Sequence, residues 1–315
     1  MSSVEPPPNS NNTPGDKGLP PVMAPSGRHI VQLFLVPGII TAGAVAILLG
    51  FSWLAGGART PRQFLTNLDT TNADIRWRAA NDLAQVLTRD EQLAAEPAFG
   101  LSLAVRLHAA LEELDRSEND LATLPPTASV KEQADARKRF IAQRNYVHYL
   151  MASVGNLSLP VGAQLLGDLA RDGRGKDPKL TAHIRRRAVW ALSNLGHQVT
   201  RFDRLSDEQK GQIRDGLTSL SEGKSLLTDG SSLPEIARGW ARDTHSYLND
   251  GKSLGVVAAL AACARADDPF LREQVAHSLN FWGRKGDEKA IAEQTLLMLA
   301  RDAGRGERIE VDTDE

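Results

Sequence analysis

Apolar residues run unbroken through one part of this chain and recur at helical spacing through most of the rest. The unbroken part is Ile30–Ala55, 26 residues without Asp, Glu, Lys or Arg. At about 1.5 Å rise per residue such a helix spans roughly 39 Å, more than the ~30 Å hydrocarbon core of a bilayer. The pattern predicts a single-pass transmembrane helix over residues 30–56, with Trp53 at its interfacial end. A cleaved signal peptide is the alternative, offered by the small residues Ala55-Gly56-Gly57-Ala58. A secretory apolar region is only about 7–15 residues long, behind a short basic leader. Flanking cations are Lys17 and Arg28 before the span and Arg59, Arg62 and Arg76 after it, an excess of one that orients the large domain to the cytoplasmic side. From 59 to 303 the pattern is a succession of helical segments punctuated by Gly, Pro and Asp. No period-two alternation extends over six or more residues, so the expected class is all-α.

Three of these segments share a pattern. They are Ile75-Arg76-Trp77-Arg78-Ala79-Ala80-Asn81-Asp82-Leu83, the stretch from Ile184-Arg185-Arg186-Arg187-Ala188 to Leu192 and Gly196, and the stretch from Leu271-Arg272-Glu273-Gln274-Val275 to Leu279 and Gly283. In each, a large aliphatic precedes an arginine, a small or aliphatic residue follows at +4, and Leu stands at +8. These offsets form one helical stripe. A partner helix precedes each, at Arg62–Leu68, Val161–Ala170 and Leu254–Ala264. Asp268-Pro269 supplies an N-cap and a first-turn proline, and Gly196 and Gly283 are expected at helix ends with φ > 0.

The paired helices and the Val/Ile-Arg-x-x-Ala-type second helix resemble the HEAT-repeat family in its bacterial, phycobilisome-lyase-like form. The resemblance implies an irregular α-α superhelix of helical pairs. It makes Arg76, Arg185 and Arg272 the repeat arginines, bonding near the inter-helix turns. Asp82 and Ser278 depart from it, standing where Ala is usual. So does the spacing. The repeat arginines lie 109 and 87 residues apart, against a family period of about 40. The intervals hold further predicted helices near Phe99–Arg116, Lys131–Val154, Asp207–Leu220 and Pro234–Tyr247, which are eroded repeats or inserted pairs.

Composition narrows the function. With 41% hydrophobic residues the chain has enough apolar surface for a core, and 5% aromatics disfavours a β-sandwich. Lys plus Arg is 37 and Asp plus Glu is 39, for a net charge of −2, so a general polyanion binder and a nucleic-acid partner are not expected. The single cysteine, Cys263, excludes a disulfide framework and a Cys-rich metal site. Residues 1–29 hold seven of the 16 prolines and read as a disordered tail. Residues 304–315, with Glu307, Glu310, Asp312, Asp314 and Glu315, read as a flexible acidic tail.

A search for chemistry yields no catalytic, cofactor or metal residue. The seven histidines include no pair three or four apart, and there is no HExxH. Gly223-Lys224-Ser225 and Gly251-Lys252-Ser253 lack the glycine and the strand of a phosphate loop, and read as helix stops. The basic clusters Arg137-Lys138-Arg139 with Arg144, and Arg185-Arg186-Arg187, read as solvated faces. The expected role is a membrane-anchored, non-enzymatic helical-repeat scaffold that binds another protein. Arg78, Arg187 and Gln274, at +3 from the stripe's first residue, are the expected partner-binding positions. Small residues every fourth position, Gly38, Ala42, Ala46 and Gly50, form a smooth face for packing or self-association in the span. The alternatives are an accessory subunit of a multi-span membrane complex and a phycobilin-lyase-like repeat enzyme, for which Tyr146 and Tyr149 offer a hint.

Overall fold

The computed structural model describes residues 35–48, 60–283 and 288–311, with side chains excepted over 304–311. Among the described residues every regular element is helical. The chain divides into two compact units, Met1–Ala58 and Arg59–Glu315.

In the first unit, α1 covers residues 35–48, all exposed and none charged. Gly38, Ala42 and Ala46 share one of its stripes by spacing, and a Cβ placed on Gly38 would meet nothing within 4 Å. Gly50, the remainder of the expected 30–56 span and the 1–29 stretch lie outside the described residues. Among the described residues no helix is long and apolar enough to cross a membrane.

The second unit contains α2 (Pro61–Leu68), α3 (Ala73–Leu87), α4 (Glu91–Ala94), α5 (Pro97–Ala122), α6 (Val130–Gly155), α7 (Ala163–Asp172) and α8 (Pro178–Val199). A 3-10 turn at Phe202–Arg204 follows, then α9 (Asp207–Ser221), α10 (Glu235–Asp250), α11 (Val256–Cys263), α12 (Pro269–Trp282) and α13 (Glu288–Val311). Local chemistry sets the starts. Thr60, Ser129 and Ser206 close capping boxes onto α2, α6 and α9. Asp177-Pro178 and Asp268-Pro269 cap α8 and α12. The two Gly-Lys-Ser triplets are indeed helix stops, with Gly223 and Gly251 at φ of 71° and 65°.

The second helices form a row in which α6 packs on α3, α8 on α6 and α12 on α8. The first helices α5, α7 and α11 back α6, α8 and α12, while α2 backs α3. Helix α13 closes the end against α11 and α12, and it carries helix as far as Val311, into the stretch expected to be a tail. The pair α9/α10 stands outside this order and packs on α5. The Arg106 guanidinium on α5 anchors the connection between them through Asp229 at 2.7 Å, while also holding Asp69 at 2.6 Å.

Two seams in the row are bonded alike. The Ser153 hydroxyl on α6 shares its hydrogen between Tyr149 O of its own helix at 2.9 Å and the Ala80 carbonyl of α3 at 3.2 Å, and Ser278 on α12 shares its own between Gln274 O at 2.8 Å and the Val189 carbonyl of α8 at 3.4 Å. Farther along, Asn156 reaches Ala84 O and Trp282 Nε1 reaches Leu192 O, both at 2.8 Å. Aligning Ser153 with Ser278 sets Tyr146, Val147, Leu150 and Val154 on the stripe positions of Leu271, Arg272, Val275 and Leu279, so α6 is a member of the row that lacks the arginine. The α6–α8 seam differs. There a Cβ on Gly155 would lie 2.9 Å from the Ala191 carbonyl oxygen and 3.0 Å from its Cα, so only glycine permits the approach.

Several expectations are corrected. Gly196 lies inside α8, and Gly283, at φ −80°, caps α12 without a left-handed turn. The physical reason for Gly196 is steric, since a Cβ there would meet Trp282 Nε1 at 2.7 Å and Phe281 Cβ at 2.8 Å. Ile75, expected on the buried stripe, is 53% exposed, whereas its counterparts Ile184 and Leu271 are buried. Asp82 is exposed too, while Ala191 and Ser278 at the same register are buried. Both follow from α3 opening the row, with no earlier second helix against it among the described residues.

Candidate functional site

The repeat arginines serve structure. Arg185 Nε donates to the Ala170 carbonyl at 3.0 Å, at the end of α7, and Arg272 Nη1 to the Ala266 carbonyl at 3.0 Å, in the α11–α12 turn. Arg76 does not bond a turn carbonyl. The Tyr146 hydroxyl already donates to Leu68 O at the end of α2, at 3.2 Å. The Arg76 guanidinium lies 4.5 Å over the Tyr146 ring and bonds Glu113 and Gln143 instead. Tyr146 is therefore a core residue, and burial pushes its hydroxyl up to about 12.

The outward side of the row is a band of aromatic and basic groups. Trp77 stacks on Tyr149 at 5.8 Å and 20°, and Tyr149 stacks on His148 at 4.8 Å and 9°. His148 meets His183 edge to face at 5.8 Å, bridging α6 to α8. Two hollows open in the band and share Trp190 as a wall. One, of about 290 Å³, is lined by His148, Tyr149, Asn156 and Arg89 among others. The second, of about 230 Å³, is lined by His183, Arg186, Arg187, Trp190 and Phe270. Farther along, Phe281 takes the edges of His197 and His277, each at 5.3 Å.

The +3 positions of the row are Arg78, Tyr149, Arg187 and Gln274. Arg78 is exposed and lies 5.5 Å over Trp77, at the band's edge. Arg187 lines the second hollow. Gln274 is half-buried, four residues from Phe270 and three from His277 on one stripe of α12. The fourth member, Tyr149, sits between Trp77 and His148; sequence reasoning did not place it there.

Charge in the band is unbalanced. The three consecutive arginines of α8 diverge: Arg185 turns inward, Arg186 pairs with Asp268 and lies over Phe270, and Arg187 meets no carboxylate among the described residues. Arg144 forms no ion pair among the described residues either, and its Nε is enclosed without an acceptor. Both guanidiniums bear on the two imidazoles. Burial, then Arg187, His183 and Arg144, depress His148 to about 4. Burial, then Arg187, Arg144 and Arg186, lower His183. Burial also lowers Arg187 itself. At neutral pH the cluster thus presents two arginine cations and two neutral imidazoles. Among the described residues no three His, Cys, Asp or Glu side chains gather in a group suited to a metal. Buried Cys263 donates to Ala170 O at 3.0 Å, and burial raises its thiol.

No protein-family model matches the chain, and neither a curated protein nor a solved structure matches it at a significant level.

Proposed function

We propose that this protein is a membrane-tethered helical-repeat scaffold of the HEAT-like kind, which binds another protein along the band on α3, α6, α8 and α12 and performs no catalysis of its own. The observation that carries the reading is the band itself: stacked aromatics, two hollows and unpaired guanidiniums crossing four successive helices. Aromatic and arginine side chains in partly desolvated hollows are the residues that dominate protein interfaces. A row of stacked helices offers such a surface over a long span. The recurrent Ser-to-carbonyl bonds between neighbouring helices support the repeat reading, as do the turn bonds of Arg185 and Arg272.

The tether rests on the uncharged run 30–55 and on the exposure of every described residue of α1. Apolar helical surface of that kind is stable only when covered by lipid or protein. The two hollows beside Trp190, at about 290 and 230 Å³, fall below the ~300–1,000 Å³ usual for ligand pockets and suit side chains of a partner; larger hollows of about 690 Å³ between α12 and α13 and about 570 Å³ beside Arg76 and Glu113 lie outside the band.

The test is photo-crosslinking in cells with a reactive residue installed in the full chain at Arg78, Tyr149, Arg187 or Gln274, with exposed Glu208 on α9 as control. A discrete protein adduct from the band positions, absent at Glu208, is the expected result. Equal or absent adducts at all five positions sink the reading.

A further inference from the structure

We propose that the paired hollows beside Trp190 take an acidic, extended segment of a protein partner, with one carboxylate on Arg187 in the second hollow, another on Arg144, which lines neither hollow but lies beside the two imidazoles, and an apolar side chain against the Trp190 indole. This rests on the partner-binding reading above and specifies the partner's chemistry.

Charge complementarity is the first argument. Three nearby cations already have counter-ions: Arg186 has Asp268, Lys138 has Asp74 and Arg76 has Glu113. Arg144 and Arg187 have none among the described residues, although both are partly withdrawn from water. A partly buried cation without a counter-ion is unfavourable, and an arriving carboxylate relieves that while pairing bidentately with the guanidinium fork. Exposed Arg89 on the first hollow adds a third cation without an ion pair among the described residues.

Shape is the second. The hollows are sized for side chains, not for a docked helix, and Trp190 stands between them. An extended chain projects alternate side chains to the same side about 6.5–7 Å apart, which suits two hollows that share the single wall of Trp190.

Nucleic acid offers anions as well, but apart from Trp190 the ring faces along α3 and α6 are spoken for. Trp77, Tyr149 and His148 stack on one another, and Arg78 lies over Trp77. A single-strand platform needs open faces for successive bases.

The experiment measures fluorescence anisotropy on the full chain in mild neutral detergent. The probes are a short labelled peptide of alternating Glu and Leu, the same peptide with Gln for Glu, and a labelled oligothymidine. The acidic peptide should bind at least about tenfold more tightly than its amide twin, the scale of one charge-assisted contact. Arg144→Gln with Arg187→Gln should erase that preference, and Trp190→Ala should weaken both peptides. Circular dichroism checks the fold of each variant, and Arg187→Lys, which keeps the charge but not the fork, should fall between. An acidic preference that is absent, or unchanged in the double variant, overturns the proposal. So does tighter binding of oligothymidine through the same arginines. Band-specific photo-adducts without an acidic preference would keep the binding face and discard only its chemistry. Loss of the adducts as well would remove the face.

Discussion

His148 is held neutral by its surroundings, and that has a thermodynamic sign. Its value is depressed to about 4 in the folded chain, against about 6.5 in the unfolded one. Arg144 on its own helix, Arg187 and His183 on α8, and Tyr149 beside it are the groups that face it. Between those two values the unfolded state binds more protons, so stability is full above pH 6.5 and falls as pH drops toward 4. The urea midpoint of the wild type should fall across that window, and His148→Asn should flatten the slope. Arg185 belongs to a different economy of contacts, since it holds a helix-end carbonyl rather than a ligand. Arg185→Ala should lower stability by about 1–2 kcal/mol in urea denaturation, because the Ala170 carbonyl loses a charged donor and keeps only the weak Cys263 thiol. Of these two residues only Arg185 was legible beforehand, because its role repeats along the chain. The pairing of His148 with His183 joins residues 35 apart in sequence on two different helices, and no local pattern encodes it.

At the level of elements, the apolar stripes made the helices of the second unit readable, and the three repeat segments became α3, α8 and α12. The short α4 was missed because four residues carry no periodicity. Helix α6 was found as a helix but not as a member of the row, since Val147 stands where the others have arginine. Only the serine bond to a neighbour's carbonyl reveals its register. Gly223 and Gly251 stop helices as expected, but Gly196 and Gly283 were misread for a physical reason: sequence shows where glycine stands, not whether its backbone or its missing Cβ is the point. Gly155 is of the second kind. An alanine there gains up to about 1 kcal/mol of helix propensity but drives a methyl into the Ala191 backbone, at 2.9 Å from its oxygen. Overpacking of about 1–3 kcal/mol should win, so Gly155→Ala should be destabilising, read as a lower thermal midpoint. The same exchange at Gly239, where nothing lies within 4 Å, should be neutral or stabilising.

For the whole molecule, the charge balance and the single thiol were legible in composition, while the band was not, because it is assembled from four helices spread over more than 200 residues. Tethering is the claim that belongs to this scale. The full chain should stay with membranes after alkaline carbonate washing, and residues 59–315 should be released as soluble protein. Ala42→Ile with Ala46→Ile should reduce association of the full chain in detergent if the small-residue face packs against another span. The seams of the row carry a mechanical consequence. Helices α3 and α6 are cross-braced by two bonds to main-chain carbonyls, as are α8 and α12. Between α6 and α8 the described side chains form no such brace. The carboxylate of Glu118 on α5 instead clasps the amides of Lys176 and Asp177 just before α8, at 2.8–3.0 Å, and Asp115 holds Arg174 beside it. The two braced pairs thus meet along a seam held by packing alone, close at Gly155 and Ala191, which runs under the His148–His183 contact between the two hollows. An occupant wedged there would bear on both braced pairs at once, and so bias the angle between them.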